Sequence, residues 1–112
     1  MHRKAAHLTD RSATVFFEPK YTKDNVLVNL DQVPGFGTVD VGGGWMDAGD
    51  NLKFVETTSY VVALQLFTLR EYPETLPDAW KDEVMFGVKW LLKMWNSKGK
   101  FLLFQVGIGD GN

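Results

Sequence analysis

Gly42-Gly43-Gly44-Trp45-Met46-Asp47-Ala48-Gly49-Asp50 places two short acidic side chains, Asp47 and Asp50, on a glycine-rich turn. Glycine lacks a Cβ and adopts backbone conformations closed to other residues, so a turn this rich in it can aim both carboxylates at one point. Such a pair can hold a water, and one member can take its proton as the water attacks. Asp-Ala-Gly-Asp by itself is a short signal, because Asp and Gly also crowd ordinary surface turns. Its surroundings decide the reading.

Read outward, the stretch becomes Val39-Asp40-Val41-Gly42-Gly43-Gly44-Trp45-Met46-Asp47-Ala48-Gly49-Asp50-Asn51-Leu52-Lys53-Phe54. It resembles the signature near the start of the catalytic domain in glycoside hydrolase family 9, the cellulase and endoglucanase family. The usual form there is Val-Asp-Val-Ser-Gly-Gly-Trp-x-Asp-Ala-Gly-Asp-x-x-Lys-Phe. Gly87-Val88-Lys89-Trp90-Leu91-Leu92-Lys93-Met94-Trp95 resembles the helix that follows it, and Phe104-Gln105-Val106-Gly107-Ile108-Gly109-Asp110-Gly111 resembles the Gln-Val-Gly-x-Gly-Asp segment after that. The resemblance covers residues 39 to 112; in the first 38 only Ala6-His7-Leu8 is similar. Gly42 stands where serine is usual. Met46 stands where histidine or tyrosine is usual, which removes an aromatic or hydrogen-bonding side chain from beside the carboxylates.

What the resemblance implies is a mainly α fold, part of an (α/α)6 barrel in which helical hairpins form a ring and loops at one end form a cleft. Residues 1–38 are then an irregular, short-strand lead-in, and residues 39–112 the start of the catalytic domain. The implied activity is hydrolysis of β-1,4-glucosidic bonds in cellulose or related β-glucans by inversion, in an exported enzyme. Asp50 is the expected general base and Asp47 the group that orients and polarises the attacking water, with no cofactor or metal in the reading. Trp45 is the candidate sugar-contacting aromatic, against the alternative that a tryptophan after three glycines packs beneath its own turn. Lys53 is expected to pair with one of the two aspartates and hold it ionised.

The family's general acid is a glutamate near the far end of a domain several times longer than this chain. Glu18, Glu56, Glu71, Glu74 and Glu83 match no such motif, and the last four fall in or beside expected helices, where solvated roles are the rule. The chain therefore reads as an amino-terminal fragment whose partner is the remainder of its own catalytic domain. A non-catalytic carbohydrate-binding or scaffold segment, with structural aspartates, is the alternative. A third reading is an all-helical domain whose acidic turn binds a cation.

Hydrophobic residues at 45% and charged residues at 23% suit a globular protein and argue against disorder. A net charge of -2 offers no basic patch, which sets nucleic acid aside as a partner. There is no cysteine, so disulfides and thiolate metal sites are excluded. His2 and His7 are too few and too isolated for a metal cluster. No run approaches a membrane span. Met1-His2-Arg3-Lys4 is basic, but residues 5–10 are too short and too polar for the apolar core of a signal peptide.

Ala13-Thr14-Val15-Phe16-Phe17 and Asn25-Val26-Leu27-Val28-Asn29-Leu30 are short β-prone runs, and Pro34-Gly35-Phe36-Gly37 marks a turn into the motif. Thr57 to Tyr72 reads as a helix buried over much of its girth by Val61, Val62, Leu64, Leu66, Phe67 and Leu69, and stopped by Pro73. A second helix opens at Pro77-Asp78, carries Trp80, Val84, Val88, Leu91, Leu92 and Trp95 at helical spacing, and meets a stop at Gly99. Phe101 to Val106 fits an extended segment leaving this hairpin. The glycines from Gly107 onward lack the spacing and the lysine of a nucleotide loop, and the resemblance makes them a loop edging the cleft.

Overall fold

The computed structural model describes residues 9–107. The expectations for His2, His7 and residues 108–112 lie outside the described residues.

A turn of 3-10 helix, Asp10–Ser12, leads into strand β1, Ala13–Thr14. Strands β2 (Lys20–Tyr21) and β3 (Leu27–Asn29) form an antiparallel hairpin. Its turn is held by the Thr22 hydroxyl, which accepts the amide protons of Asp24 and Val26, with Asn25 at φ 59°. Asparagine tolerates that left-handed conformation better than most residues. Strand β4, Thr38–Val39, then returns to pair antiparallel with β1, Ala13 facing Val39. The expected division at residue 38 therefore runs through the middle of β4.

Strand β5, Lys53–Phe54, passes without a loop into helix α1, Val55–Glu71. This helix ends where proline requires it: the Tyr72 amide closes the last turn on the Thr68 carbonyl, and Pro73 has no N–H with which to continue. Helix α2, Asp78–Met94, opens after Pro77 as its sequence indicates, with the Asp78 carboxylate at the positive end of the helix dipole. It ends at Met94, before Gly99. Strands β6 (Trp95–Asn96) and β7 (Phe101–Leu102) then fold onto each other, and Gly99 lies in their turn. There the Asn96 side chain accepts the Gly99 amide proton at 2.8 Å, and Lys100 takes φ 53°. Strand β8, Gln105–Val106, pairs with β5, so that Val106 faces Lys53.

The two helices pack along narrow stripes. On α2 the buried stripe is Val84, Gly87, Trp90 and Met94, spaced three and four residues apart, and Trp90 and Met94 join Val41 and Val106 in the core. Leu92 and Trp95, expected inward, are exposed. On α1 only Val62 of the expected apolar residues is fully buried, flanked by Thr58 and Gln65. Tyr60, Leu64 and Phe67 form a second stripe, 67%, 52% and 56% exposed. Helix α1 is thus covered along one side and not around its girth, because a hairpin of two helices offers one mutual face.

An exposed apolar stripe of this length marks a surface that associates. The chain made alone is expected to bind hydrophobic dyes and to self-associate, since apolar area contributes roughly 25 cal/mol per Å² only when buried. A monodisperse monomer with a sharp thermal transition and no dye fluorescence would contradict this.

Candidate active site

Helix α2 is the platform on which the glycine-rich turn rests. The Trp90 indole lies against it: a Cβ on Gly44 would sit 2.6 Å from Trp90 Cδ2, and Gly44 itself holds φ 69°. Both conditions demand glycine. The Trp90 Nε1–H donates to the Val41 carbonyl at 3.1 Å, a buried bond between residues 49 positions apart. One turn further along α2, Lys93 Nζ donates to the Gly42 carbonyl at 3.0 Å and to Asp40 Oδ2 at 3.1 Å. Asp40 Oδ1 accepts the Gly42 amide proton at 2.9 Å. That amide and the Lys93 ammonium hold the Asp40 carboxyl below its ordinary value.

Trp45 is buried, 6% exposed. Its ring fills the space left by Gly87, where any Cβ would strike the indole and Val62. The Trp45 Nε1–H donates to Glu83 Oε1 at 2.7 Å, and the Phe86 ring lies 6.2 Å away. The indole therefore packs beneath its own turn. Glu83, expected to be solvated, is half-buried as its acceptor.

Beyond Trp45 the chain leaves the core, and Asp47, Ala48, Gly49 and Asp50 are exposed. The Asp47 amide donates to the Leu52 carbonyl at 2.7 Å, closing residues 47–52 into a small loop. Within it Asn51 takes φ 61°, and Asp50 Oδ1 accepts the Leu52 amide proton at 3.2 Å. A carboxylate has two oxygens, so this bond leaves one for a water. Both aspartates thus stand on one closed loop that faces solvent.

Lys53 pairs with neither of them. A strand turns successive side chains to opposite faces, and β5 turns Lys53 inward, where it is 5% exposed. There its Nζ meets Asp10 Oδ2 at 2.6 Å in a buried ion pair. The Asp10 carbonyl also accepts the Val41 amide proton at 2.7 Å. One residue thereby touches the chain just before the glycines and just after the aspartates. Asp10 carried no motif of its own in the sequence.

An apolar groove of about 700 Å³ runs between the lead-in and the β7–β8 segment, lined among others by Phe16, Val33, Phe36, Phe101 and Val106. Neither Asp47 nor Asp50 lines it.

The family model described as glycosyl hydrolase family 9 matches residues 1–112. The chain belongs to that family. Its relatives include Endoglucanase A of Bacillus pumilus, 36% identical over 78 residues, covering 65% of this chain and 11% of that protein. Endoglucanase 4 of Bacillus sp. (strain KSM-522) is 35% identical over 78 residues, 65% of this chain and 12% of that protein. Endoglucanase 14 of Oryza sativa subsp. japonica is 33% identical over 99 residues, 84% of this chain and 19% of that protein. The chain thus spans 11 to 19% of the length of these relatives. No solved structure matches it significantly.

The lowered Asp40 carboxyl carries a definite sign. Its contribution to holding the turn is present above the ordinary carboxylate value and is lost as pH falls through the depressed one. In a carbon-13 titration the Asp40 carboxyl should show a midpoint below 3.8, moving up toward it in Lys93→Met. A wild-type midpoint at or above 3.8 would contradict the contacts described.

Proposed function

We propose that this chain forms the base-bearing part of a catalytic domain that hydrolyses β-1,4-glucosidic bonds in cellulose or related β-glucans by inversion. The observation that carries the reading is the closed, solvent-facing loop of residues 47–52, which presents two carboxylates from a turn whose ends are fixed in the core, in a member of glycosyl hydrolase family 9. The names of the three endoglucanases support the choice of polymer.

In this mechanism Asp47 and Asp50 grip one water beneath the anomeric carbon. Asp50 takes its proton as the water attacks, and Asp47 orients and polarises it. A glutamate outside these residues protonates the leaving oxygen from the opposite face. Base and acid then stand about 6.5 to 9.5 Å apart, the spacing that admits a water and inverts the anomeric centre. The helical hairpin is one unit of an (α/α)6 barrel, and the remaining hairpins cover the exposed stripe of α1. A polymeric glucan is met outside the cell, so export follows from the reading.

Within a complete catalytic domain, Asp50→Asn keeps size and some hydrogen bonding but removes the base. Turnover should fall by about 100- to 10,000-fold while substrate binding and melting temperature stay near wild type. Asp47→Asn should impair turnover less, since a neutral amide still orients a water. Near-full activity in Asp50→Asn, measured by reducing-end release from soluble cellulose derivatives, would remove the proposal.

A further inference from the structure

We propose that Asp10 is a positioning residue for this reaction: it sets the aim of Asp47 and Asp50 by holding both ends of the turn that carries them. The inference rests on the hydrolytic reading above and adds to it a residue 37 positions before the acidic loop.

Two contacts define the role. The Asp10 carbonyl accepts the Val41 amide proton at 2.7 Å, and its carboxylate meets Lys53 Nζ at 2.6 Å. Everything from Gly42 to Leu52 lies between these two points. That stretch contains Gly43 at φ 100°, Gly44 at φ 69° and Asn51 at φ 61°, and its distal part from Asp47 to Asp50 is exposed. Exposed backbone with so many accessible conformations keeps a defined direction only if its ends are fixed. Asp10 is itself fixed, since Ser12 N–H closes on the Thr9 carbonyl at 2.8 Å and β1 then pairs with β4.

The energetics of the ion pair argue that its role is directional. Both side chains are buried, 6% exposed for Lys53 and 11% for Asp10. Removing two charges from water costs several kcal/mol each, and well-packed apolar residues of similar volume are commonly as stable or more so. An apolar pair would hold β5 against the lead-in equally well. It would not hold it at one point, because packing is non-directional while a short charged hydrogen bond is not. Water attack needs that point, since a misplacement of about 1 Å costs on the order of 100-fold in rate.

The test uses a complete catalytic domain carrying these residues, with three variants beside wild type. In Asp10→Leu/Lys53→Met both charges are replaced together, so that neither is left buried alone. Its melting temperature should match or exceed wild type and its KM on a soluble cellulose derivative should stay within about twofold, while kcat falls by about 10- to 100-fold. Amide hydrogen exchange in residues 47–52 should accelerate in the same variant. Val84→Ala, a core truncation on α2 that spares the pair, calibrates lost stability alone and should keep kcat per folded molecule. Wild-type kcat in the double variant, or an equal loss in Val84→Ala, overturns the proposal. Asp50→Asn separates the two ideas: if it is inactive while the double variant is fully active, only the role of Asp10 falls. If Asp50→Asn stays active, the hydrolytic reading falls and this one with it.

Discussion

The buried ion pair between Lys53 and Asp10 is the constraint on which the rest of the arrangement depends. Its partners are 43 positions apart, and it joins the lead-in to the strand that opens the first helix. Because β5 runs straight into α1, fixing Lys53 also fixes where that helix begins. Because the Asp10 carbonyl holds Val41, the same residue fixes where the glycine-rich turn departs. The acidic loop is therefore a span between two pinned points. Neither point is catalytic, and both are buried.

Helix α2 supplies the floor beneath that span. Glu83, Gly87, Trp90 and Lys93 lie three or four residues apart along it, and together they meet residues 40–45. Gly87 makes room for the Trp45 indole, and Glu83 satisfies its N–H. The Trp90 indole lies close against Gly44, and Lys93 grips the Gly42 carbonyl. Gly44 is needed twice over, for a backbone angle that other residues rarely adopt and for room beside an aromatic ring. The helix thus supports the first half of the turn from below while Asp10 pins its ends, and the two aspartates stay free of the core.

Much of this was readable from sequence, and the part that was not shares one physical cause. Pro73 and Pro77 act locally through a missing N–H and a fixed φ, so the end of α1 and the start of α2 emerged within a residue, whereas α2 stops at Met94, well before the expected Gly99. That Asp47 and Asp50 share one short loop was readable because the turn is local. The partners of Asp10 and Glu83 were not, since each lies far along the chain; that Trp45 packs beneath its own turn was one of the two readings, but not that Glu83 takes its N–H. Local composition favours water for an aspartate or a glutamate, and only the fold shows that Asp10 and Glu83 have buried partners. For α1 the apolar residues run nearly all round, which conceals the face that meets α2. The face that does is marked by Thr58, Val62 and Gln65, two of them polar.

The claim that joins fold to chemistry is that Asp47 and Asp50 hold one water between them. A crystal structure of the complete catalytic domain with a bound β-1,4-gluco-oligosaccharide would examine it directly. The account predicts one ordered water within hydrogen-bonding distance of both carboxylates and beneath an anomeric carbon, with Asp50 about 6.5 to 9.5 Å from a glutamate on the opposite face of the sugar. Carboxylates directed to separate waters, or a sugar chain lying away from the loop of residues 47–52, would contradict it.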